Sequence, residues 1–117
     1  MLNKSKLTPR IAHILDELSQ STQALLGDKL KKIILFGSYA RGDYTEDSDL
    51  DIMVLADFDA QEESRLEDLL NKISSGTSLA YDLTVCMLVN NAQLFNNRLH
   101  ISPFYRNVVS EGVEIYA

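Results

Sequence analysis

The hydrophobic pattern first predicts a helix over residues 8–26. Thr8 followed by Pro9 is typical of a helix start, and Gly27 is typical of a helix end. Between them, apolar residues recur at helical spacing, at Ile11, Ile14, Leu15, Leu18, Leu25 and Leu26. This periodicity predicts an amphipathic helix with one buried face.

Three apolar runs predict β-strands, over 31–36, 49–55 and 79–89. The third run is apolar on both faces except at Asp82 and Thr84, which is typical of a strand covered on both sides. We therefore expect this strand at or near the centre of a sheet.

Helices are predicted between and after these strands. Asp59 and Glu62 have the spacing of a capping box before an apolar stripe, which predicts a helix over 59–73 that ends in the serine- and glycine-containing segment 74–78. A weaker helix is predicted over 90–99, and a further one follows Ser102 and Pro103.

Residues 113–117 are typical of a short edge strand. The alternation of helices and strands predicts an α/β fold in a single domain, 1–117, with an N-terminal helix at 8–26, a core at 30–117 and a three-stranded central sheet.

Charge and composition narrow the possible partners. Seventeen acidic residues against eleven basic ones give a formal net charge of -6, which repels nucleic-acid phosphates and anionic membranes. The single cysteine, Cys86, excludes an intrachain disulfide, and no segment has the pattern of a signal peptide or membrane span. We therefore expect a cytoplasmic protein that binds no long nucleic acid.

The turn after the first predicted strand has features of a phosphate-binding loop. Gly37 and Ser38 directly follow the strand and precede a predicted short helix, an arrangement that offers backbone N–H groups and a hydroxyl. The spacing of Gly37 and Gly42 fits a P-loop, but Asp43 and Tyr44 stand where that motif needs Lys and Ser or Thr. A plain turn remains the alternative to an anion site.

Three aspartates at strand starts are candidates for metal binding. Asp49 and Asp51 are separated by one residue, so both carboxylates project from the same face of a strand. Asp82 lies near the start of the next predicted strand. Carboxylates without histidine or thiolate partners favour magnesium or manganese over zinc. The alternative is that all three are solvent-facing acids at strand ends.

Arg41 lies within the candidate phosphate turn. A guanidinium there could bind terminal phosphates of a nucleotide through two parallel hydrogen bonds. The alternative role is a salt bridge to Asp43 or Glu46.

Other reactive residues fit structural roles better. Cys86 lies in an apolar run and is interpreted as an inert core thiol, and His13 and His100 as surface residues. Tyr39 and Tyr44 could stack on a base, although packing is the better interpretation for both.

The chain contains GSYARG, which begins at Gly37, and DLDI, which begins at Asp49. Ten residues, 39–48, separate the Gly-Ser pair from DLDI. This arrangement resembles the pattern hG[GS], spacer, DhDh of the DNA polymerase beta nucleotidyltransferase superfamily. Within it, the short chain resembles the minimal nucleotidyltransferase (MNT) group, over residues 31–116. The resemblance implies that Gly37 and Ser38 hold the triphosphate of ATP and that Arg41 assists. It also implies that Asp49, Asp51 and Asp82 bind two Mg²⁺ or Mn²⁺ ions, with AMP transferred to a hydroxyl.

A shared site constrains the sheet. One triphosphate must contact both the end of strand one at Gly37 and the start of strand two at Asp49, so these strands should be antiparallel. Asp82 must reach the same metals, which makes strands two and three parallel, with the intervening helix crossing over. The expected mixed sheet has order 1-2-3 and helices on its faces, as the resemblance implies.

Three functions compete. The resemblance favours the MNT antitoxin of a two-gene system, whose partner is a helical HEPN toxin. The antitoxin would adenylylate a hydroxyl of that toxin. Tyrosine is the favoured side chain, because it is long enough to enter a cleft. A second hypothesis is an antitoxin that masks its partner by binding alone. A third is a nucleotidyltransferase subunit acting on a small molecule together with a separate acceptor-binding subunit. The sequence leaves a homo-oligomer open.

Overall fold

The computed structural model describes residues 7–117. Expectations about a signal peptide depend on the N-terminal residues, of which 1–6 lie outside the described range. Across 7–117, no helix combines the length and the apolar character that a membrane span needs. The helices and strands are α1 (Pro9–Leu26), β1 (Leu30–Phe36), α2 (Ser38–Arg41), β2 (Leu50–Ala56), α3 (Glu63–Tyr81), β3 (Val85–Asn91), α4 (Ala92–Arg98), α5 (Pro103–Glu111) and β4 (Val113–Tyr116).

The strands form one mixed sheet in the order β3-β2-β1-β4. β1 and β2 are antiparallel, whereas β2 and β3 are parallel with α3 as the crossover, as predicted. The edge strand predicted at 113–117 is confirmed as β4 (Val113–Tyr116), which pairs antiparallel with β1, so the sheet has four strands over 7–117 where three were expected at its centre. The expected order 1-2-3 is retained within the larger sheet, but β3 is an edge strand and not at or near the centre as its apolar run predicted.

Helices cover both faces of the sheet. α1 and α3 pack on one face, where most of the core lies, including Leu50, Ile52 and Val54 of β2. α4 and α5 pack on the other face around a smaller cluster that contains Met53 and Phe95. Because strand side chains alternate between faces, Asp51 of β2 projects to the same side as Met53, towards α4 and α5.

The predicted starts of α1 and α5 are confirmed. The Thr8 hydroxyl accepts a hydrogen bond from the backbone N–H of Ile11 (3.2 Å), and the Ser102 hydroxyl accepts one from Tyr105 (3.2 Å). Each cap precedes a proline in the first turn, where a missing N–H costs nothing. The predicted helix over 90–99 is confirmed as the shorter α4.

The predicted boundary between α3 and β3 was wrong. The segment 74–78 does not end the helix, and 79–81 continue α3 instead of beginning a strand. Ser74 is buried and its hydroxyl donates to the carbonyl of Asn71 (3.0 Å), so the serine does not interrupt the helix. The last turn is held by α1, since the Tyr81 hydroxyl donates to Glu17 (2.7 Å) and Arg10 donates to the Tyr81 carbonyl. Tertiary contacts here override a weak local helix propensity.

Candidate active site

The turn between β1 and α2 brings the backbone against a carboxylate. Gly37 has φ +76, a conformation that favours glycine, and a Cβ there would collide with Oδ2 of Asp51. Its carbonyl accepts hydrogen bonds from Ala40 and Arg41 (3.1 Å each), which close the turn. Glycine is therefore required at this position both by the backbone angle and by the approach to β2.

Asp51 lies at the centre of the sheet edge that the turn faces. It pairs with Phe36 of β1 on one side and with Cys86 of β3 on the other. Asp51 is half-buried, and burial raises the pKa of its carboxyl. The charge of Asp49, which is exposed one residue before β2, raises the pKa of Asp51 further, while Arg41 lowers it. The charges of the two acids therefore repel each other.

Arg41 forms the salt bridge that the sequence offered as its alternative role, and phosphate binding by Arg41 stays a prediction. Its side chain is exposed, with Nε 3.2 Å from Oδ2 of Asp43 and an Nη 3.4 Å from Oε2 of Glu111. The hydrogen bond to Asp43 is the main cause that raises the pKa of Arg41, so the guanidinium stays charged. The sequence offered Asp43 or Glu46 as the salt-bridge partner of Arg41. The structure shows Asp43 and, on α5, Glu111 in this role. These solvent-exposed pairs are weak enough for a phosphate to compete with them.

One cleft collects most of the predicted residues. It has a volume of about 370 Å³. Gly37, Ser38, Arg41 and Asp51 form one wall. The opposite wall belongs to α5, and its lining side chains include Phe104, Asn107 and Glu111. Sequence reasoning missed this second wall, because nothing in the local pattern of α5 shows that it packs beside the turn.

Aromatic rings form the apolar part of this cleft. Phe36 and Phe104 meet edge to face, with ring centroids 5.7 Å apart. Phe104 remains 45% exposed, which leaves part of its ring accessible to a planar ligand. The sequence signal that could have found it is its place in the first turn of α5, directly after the predicted cap.

Asp49 and Asp51 suit one hard divalent cation. Neither carboxylate forms a salt bridge or side-chain hydrogen bond within 7–117. Burial and the charge of Asp49 raise the pKa of Asp51 even though the nearby Arg41 lowers it. Carboxylate oxygens are the ligands that Mg²⁺ and Mn²⁺ prefer, with water or phosphate completing the shell. Over the same residues, no group of three or more His, Cys, Asp or Glu side chains is arranged to hold a metal.

Asp82 does not lie with the other two aspartates. It is the residue that ends α3, in a left-handed conformation (φ 51, ψ 51), and not part of a strand as predicted. Its exposed side chain lines a different cleft, of about 470 Å³, with Tyr39 and Tyr44 among the other lining residues. The left-handed turn and the late end of α3 are the physical reasons for this displacement. A metal-binding role for Asp82 stays a prediction.

Cys86 is the residue of β3 that faces Asp51. The thiol is half-buried, and burial raises its pKa, as do the charges of Asp51 and Asp49. It is therefore a protonated thiol beside the acids and not the deeply buried core residue that the apolar run predicted. Cys86 is the second residue of β3, so the start of this strand is the sequence signal for its position. The prediction that the strand begins at residue 79 concealed that signal.

The two tyrosines near the turn pack against each other. The rings of Tyr39 and Tyr44 are stacked, 4.4 Å apart and inclined by 14°, and Tyr39 is buried. The interpretation of both as packing residues is confirmed. They belong to the α1 side of the sheet and stabilise the loop that leads to Asp49.

The arrangement of turn, arginine and paired acids agrees with a family match. A model described as a nucleotidyltransferase domain matches residues 13–114 of the chain. The chain belongs to this family. It is therefore a nucleotidyltransferase, and the mixed sheet and the resemblance to the polymerase beta superfamily are confirmed together.

Relatives in Methanocaldococcus jannaschii share substantial sequence identity. One, provisionally named protein adenylyltransferase MJ0604, is 44% identical over 88 residues, which span 75% of this chain and 80% of the relative. Another, provisionally named protein adenylyltransferase MJ0141, is 35% identical over 107 residues, 90% of this chain and 98% of the relative. Both matches include the turn and the paired acids within a nearly complete domain.

Solved structures show the same fold. A chain of a toxin–antitoxin complex with AMP-PNP superposes with a TM-score of 0.53 at 24% identity, over 91% of this chain and 73% of that one. A chain of a complex between a tri-AMPylated Shewanella oneidensis HEPN toxin and its MNT antitoxin gives a TM-score of 0.51 at 21% identity, over 90% and 71%. At this identity the likeness concerns the fold.

Proposed function

We propose that the chain transfers AMP from ATP to a hydroxyl of a partner protein, in a reaction that depends on a divalent cation. The observation that carries the proposal is the shared cleft of Gly37, Ser38, Arg41 and Asp51. The unit that acts is the single domain 1–117, and we place it in the cytoplasm because its one thiol, Cys86, is not paired in a disulfide.

The residues of the cleft divide the work of nucleotide binding. The backbone and hydroxyl at Gly37 and Ser38 bind phosphate oxygens, and Arg41 leaves Asp43 and Glu111 to bind the terminal phosphates. Asp49 and Asp51 hold Mg²⁺ or Mn²⁺, which neutralises triphosphate charge when bound. The Phe104 ring contacts the nucleoside.

The transfer itself is a substitution at the α-phosphorus. The acceptor oxygen forms a bond to this atom, and the bond to the bridging oxygen of pyrophosphate breaks. The hydroxyl proton passes to water, and pyrophosphate leaves with its charge screened by Arg41. The chain's own contribution is to orient the triphosphate so that the leaving group points towards the guanidinium.

The acceptor is best supplied by a second protein. The cleft is open and has a volume of only about 370 Å³, so little wall is left to enclose a second substrate. Relatives carry the name protein adenylyltransferase, and a fold neighbour is a complex with an AMPylated HEPN toxin. We therefore favour an antitoxin that adenylylates a helical HEPN-type toxin, on a tyrosine long enough to reach the cleft.

Intact-mass spectrometry of a co-expressed partner tests this function. The product of the adjacent gene is expressed with this chain, and we expect it to gain about 329 Da, or a multiple, for each AMP added. Asp49→Asn should leave the partner unmodified and toxic. Asp47→Asn, a neighbouring exposed acid outside the cleft, is the matched control and should modify the partner normally.

Two outcomes contradict the proposal. An unmodified partner that is nevertheless silenced in a stable complex would favour inhibition by binding alone. Modification that persists in Asp49→Asn would place the chemistry elsewhere. The modified residue itself is found by fragmenting the labelled partner, and a site other than tyrosine would correct only that part of the proposal.

A further inference from the structure

The position on β3 that faces Asp51 decides how many cations this chain can hold. Asp51 and Cys86 are Cα partners in the parallel register of β2 and β3. Partners in adjacent parallel strands project to the same face, on strands about 4.8 Å apart. Asp49, one residue before β2, is close enough for its charge to act on Asp51. Cys86 is thus the β3 side chain nearest the paired acids.

No residue of β3 offers a carboxylate there. The strand consists of VCMLVNN, without aspartate or glutamate. Thr84, two residues before Cys86 in the strand alternation, is also uncharged. Its carbonyl accepts a hydrogen bond from the backbone N–H of Leu50 (2.8 Å). A third carboxylate must therefore come from another element or be missing.

Asp82 and Glu111, which lie on other elements, contact other groups. Asp82 lines the cleft on the α1 side of the sheet, together with Tyr39 and Tyr44. Glu111 lies across the cleft on α5, and its carboxylate is 3.4 Å from the Arg41 guanidinium. Over 7–117, no three acidic, histidine or cysteine side chains converge as a metal site.

We propose that this chain holds one divalent cation, the one that accompanies the nucleotide, and that Cys86 occupies the position from which a third carboxylate would help hold a second. The inference rests on the proposed function, and it departs from the two-ion expectation that the family resemblance gave. Asp49 and Asp51 supply the ligands for the single ion. The attacking hydroxyl then ionises without a second cation bound by this chain.

Counting bound Mn²⁺ tests the proposal directly. The protein is saturated with Mn²⁺ and a non-hydrolysable ATP analogue, free Mn²⁺ and excess analogue are removed by rapid gel filtration, and electron paramagnetic resonance counts the Mn²⁺ ions retained per protein molecule. We expect one ion in the native protein and one in Asp82→Asn. Cys86→Asp should bind two, because it places a third carboxylate beside the pair.

Matched controls separate charge from shape. Cys86→Asn has nearly the same size as Cys86→Asp without the charge, and it should keep one ion. Circular dichroism checks that each variant is folded. If Cys86→Asp does not fold, the native protein and Asp82→Asn still test the proposal. A two-ion site that includes Asp82 predicts two ions in the native protein and one in Asp82→Asn.

Activity gives a second readout. With the partner as acceptor, Cys86→Asp should raise the rate of AMP transfer at least about tenfold in Mg²⁺. The KM for ATP should change little, since Asp49 and Asp51 are retained. Cys86→Asn should show the native rate.

The outcomes distinguish this inference from the proposed function. Two Mn²⁺ ions in the native protein, with one lost in Asp82→Asn, would overturn the inference and leave the proposed function standing. A single ion in a folded Cys86→Asp would also overturn it. No analogue-dependent Mn²⁺ in the native protein would overturn both, because the proposed function requires at least one.

Discussion

The two faces of the sheet differ in how completely they are covered. On the α1 and α3 face, Leu50, Ile52 and Val54 of β2 are fully buried under two long helices. On the α4 and α5 face, the buried cluster is small, and at its end Asp51 stands in an open cleft. The comparison teaches that one face stabilises the domain while the other leaves β2 accessible for chemistry.

The largest expected effect is a loss of stability when a buried side chain is truncated on the α1 and α3 face. Leu70 of α3 is 0% exposed, so Leu70→Ala should lower the free energy of unfolding by about 3 kcal/mol through lost burial and a residual cavity. Leu79→Ala, on the same helix but 87% exposed, should change it by no more than about 0.5 kcal/mol. Urea denaturation measures both. Similar losses in the two variants would contradict the assignment of the core to the α1 and α3 face.

The second prediction concerns the open face. ATP with Mg²⁺, at about 100 times its dissociation constant, should stabilise the protein by about 2.7 kcal/mol, and ATP in EDTA by much less. Thermal unfolding measures the shift. Arg41→Ala should reduce it, because the guanidinium that lines the cleft is removed. An equal shift with and without metal would place nucleotide binding outside Asp49 and Asp51.

Two glycines give a smaller and opposite pair of effects. Gly76 lies within α3, and a Cβ there meets nothing within 4 Å, so Gly76→Ala should stabilise the protein by about 0.5–1 kcal/mol. Gly37→Ala should destabilise it by about 1 kcal/mol or more, because of the positive φ and the collision with Asp51. Chemical denaturation compares them. If Gly37→Ala left the free energy of unfolding unchanged, the close approach of Gly37 to Asp51 would be contradicted.

These glycines also show what the sequence could and could not predict. β1, β2, the turn at Gly37 and the pair Asp49 and Asp51 depend on contiguous residues, and local patterns located them within about one residue of the observed elements. Gly76 has the same local appearance as a helix end, yet the helix continues because α1 holds its last turn. Such contacts join residues more than sixty positions apart, which no local pattern contains.

The site shows the same limit. The wall formed by α5 and the pairing of Asp51 with Cys86 depend on how distant elements pack and on strand register. A shift of the α3–β3 boundary by a few residues moved Asp82 out of the strand and put Cys86 next to the acids. Elements built from contiguous residues were therefore predicted well, and contacts set by strand register were not.

The smallest predicted effect concerns Asp51 without metal. In EDTA at neutral pH, Asp51→Asn should be slightly more stable than the native protein, by no more than about 1 kcal/mol, because burial and Asp49 disfavour the ionised carboxyl. Since the pKa of Asp51 is raised when folded, this penalty is absent below the ordinary aspartate value of 3.8 and develops as pH rises through the raised value. Melting temperatures measured across pH should therefore converge in acid. Asp47→Asn is the control without such a convergence.

The order of the elements along the chain has a consequence for synthesis. The turn and the acids are translated well before α5, whose Phe104 lies 53 positions after Asp51. At ordinary elongation rates this interval lasts roughly 3 to 10 seconds. A ribosome-bound chain thus exposes Asp49 and Asp51 on an unfinished sheet, with the far wall of the cleft still to be made. In the proposed function, the nucleotide cleft is therefore complete only once α5 has docked.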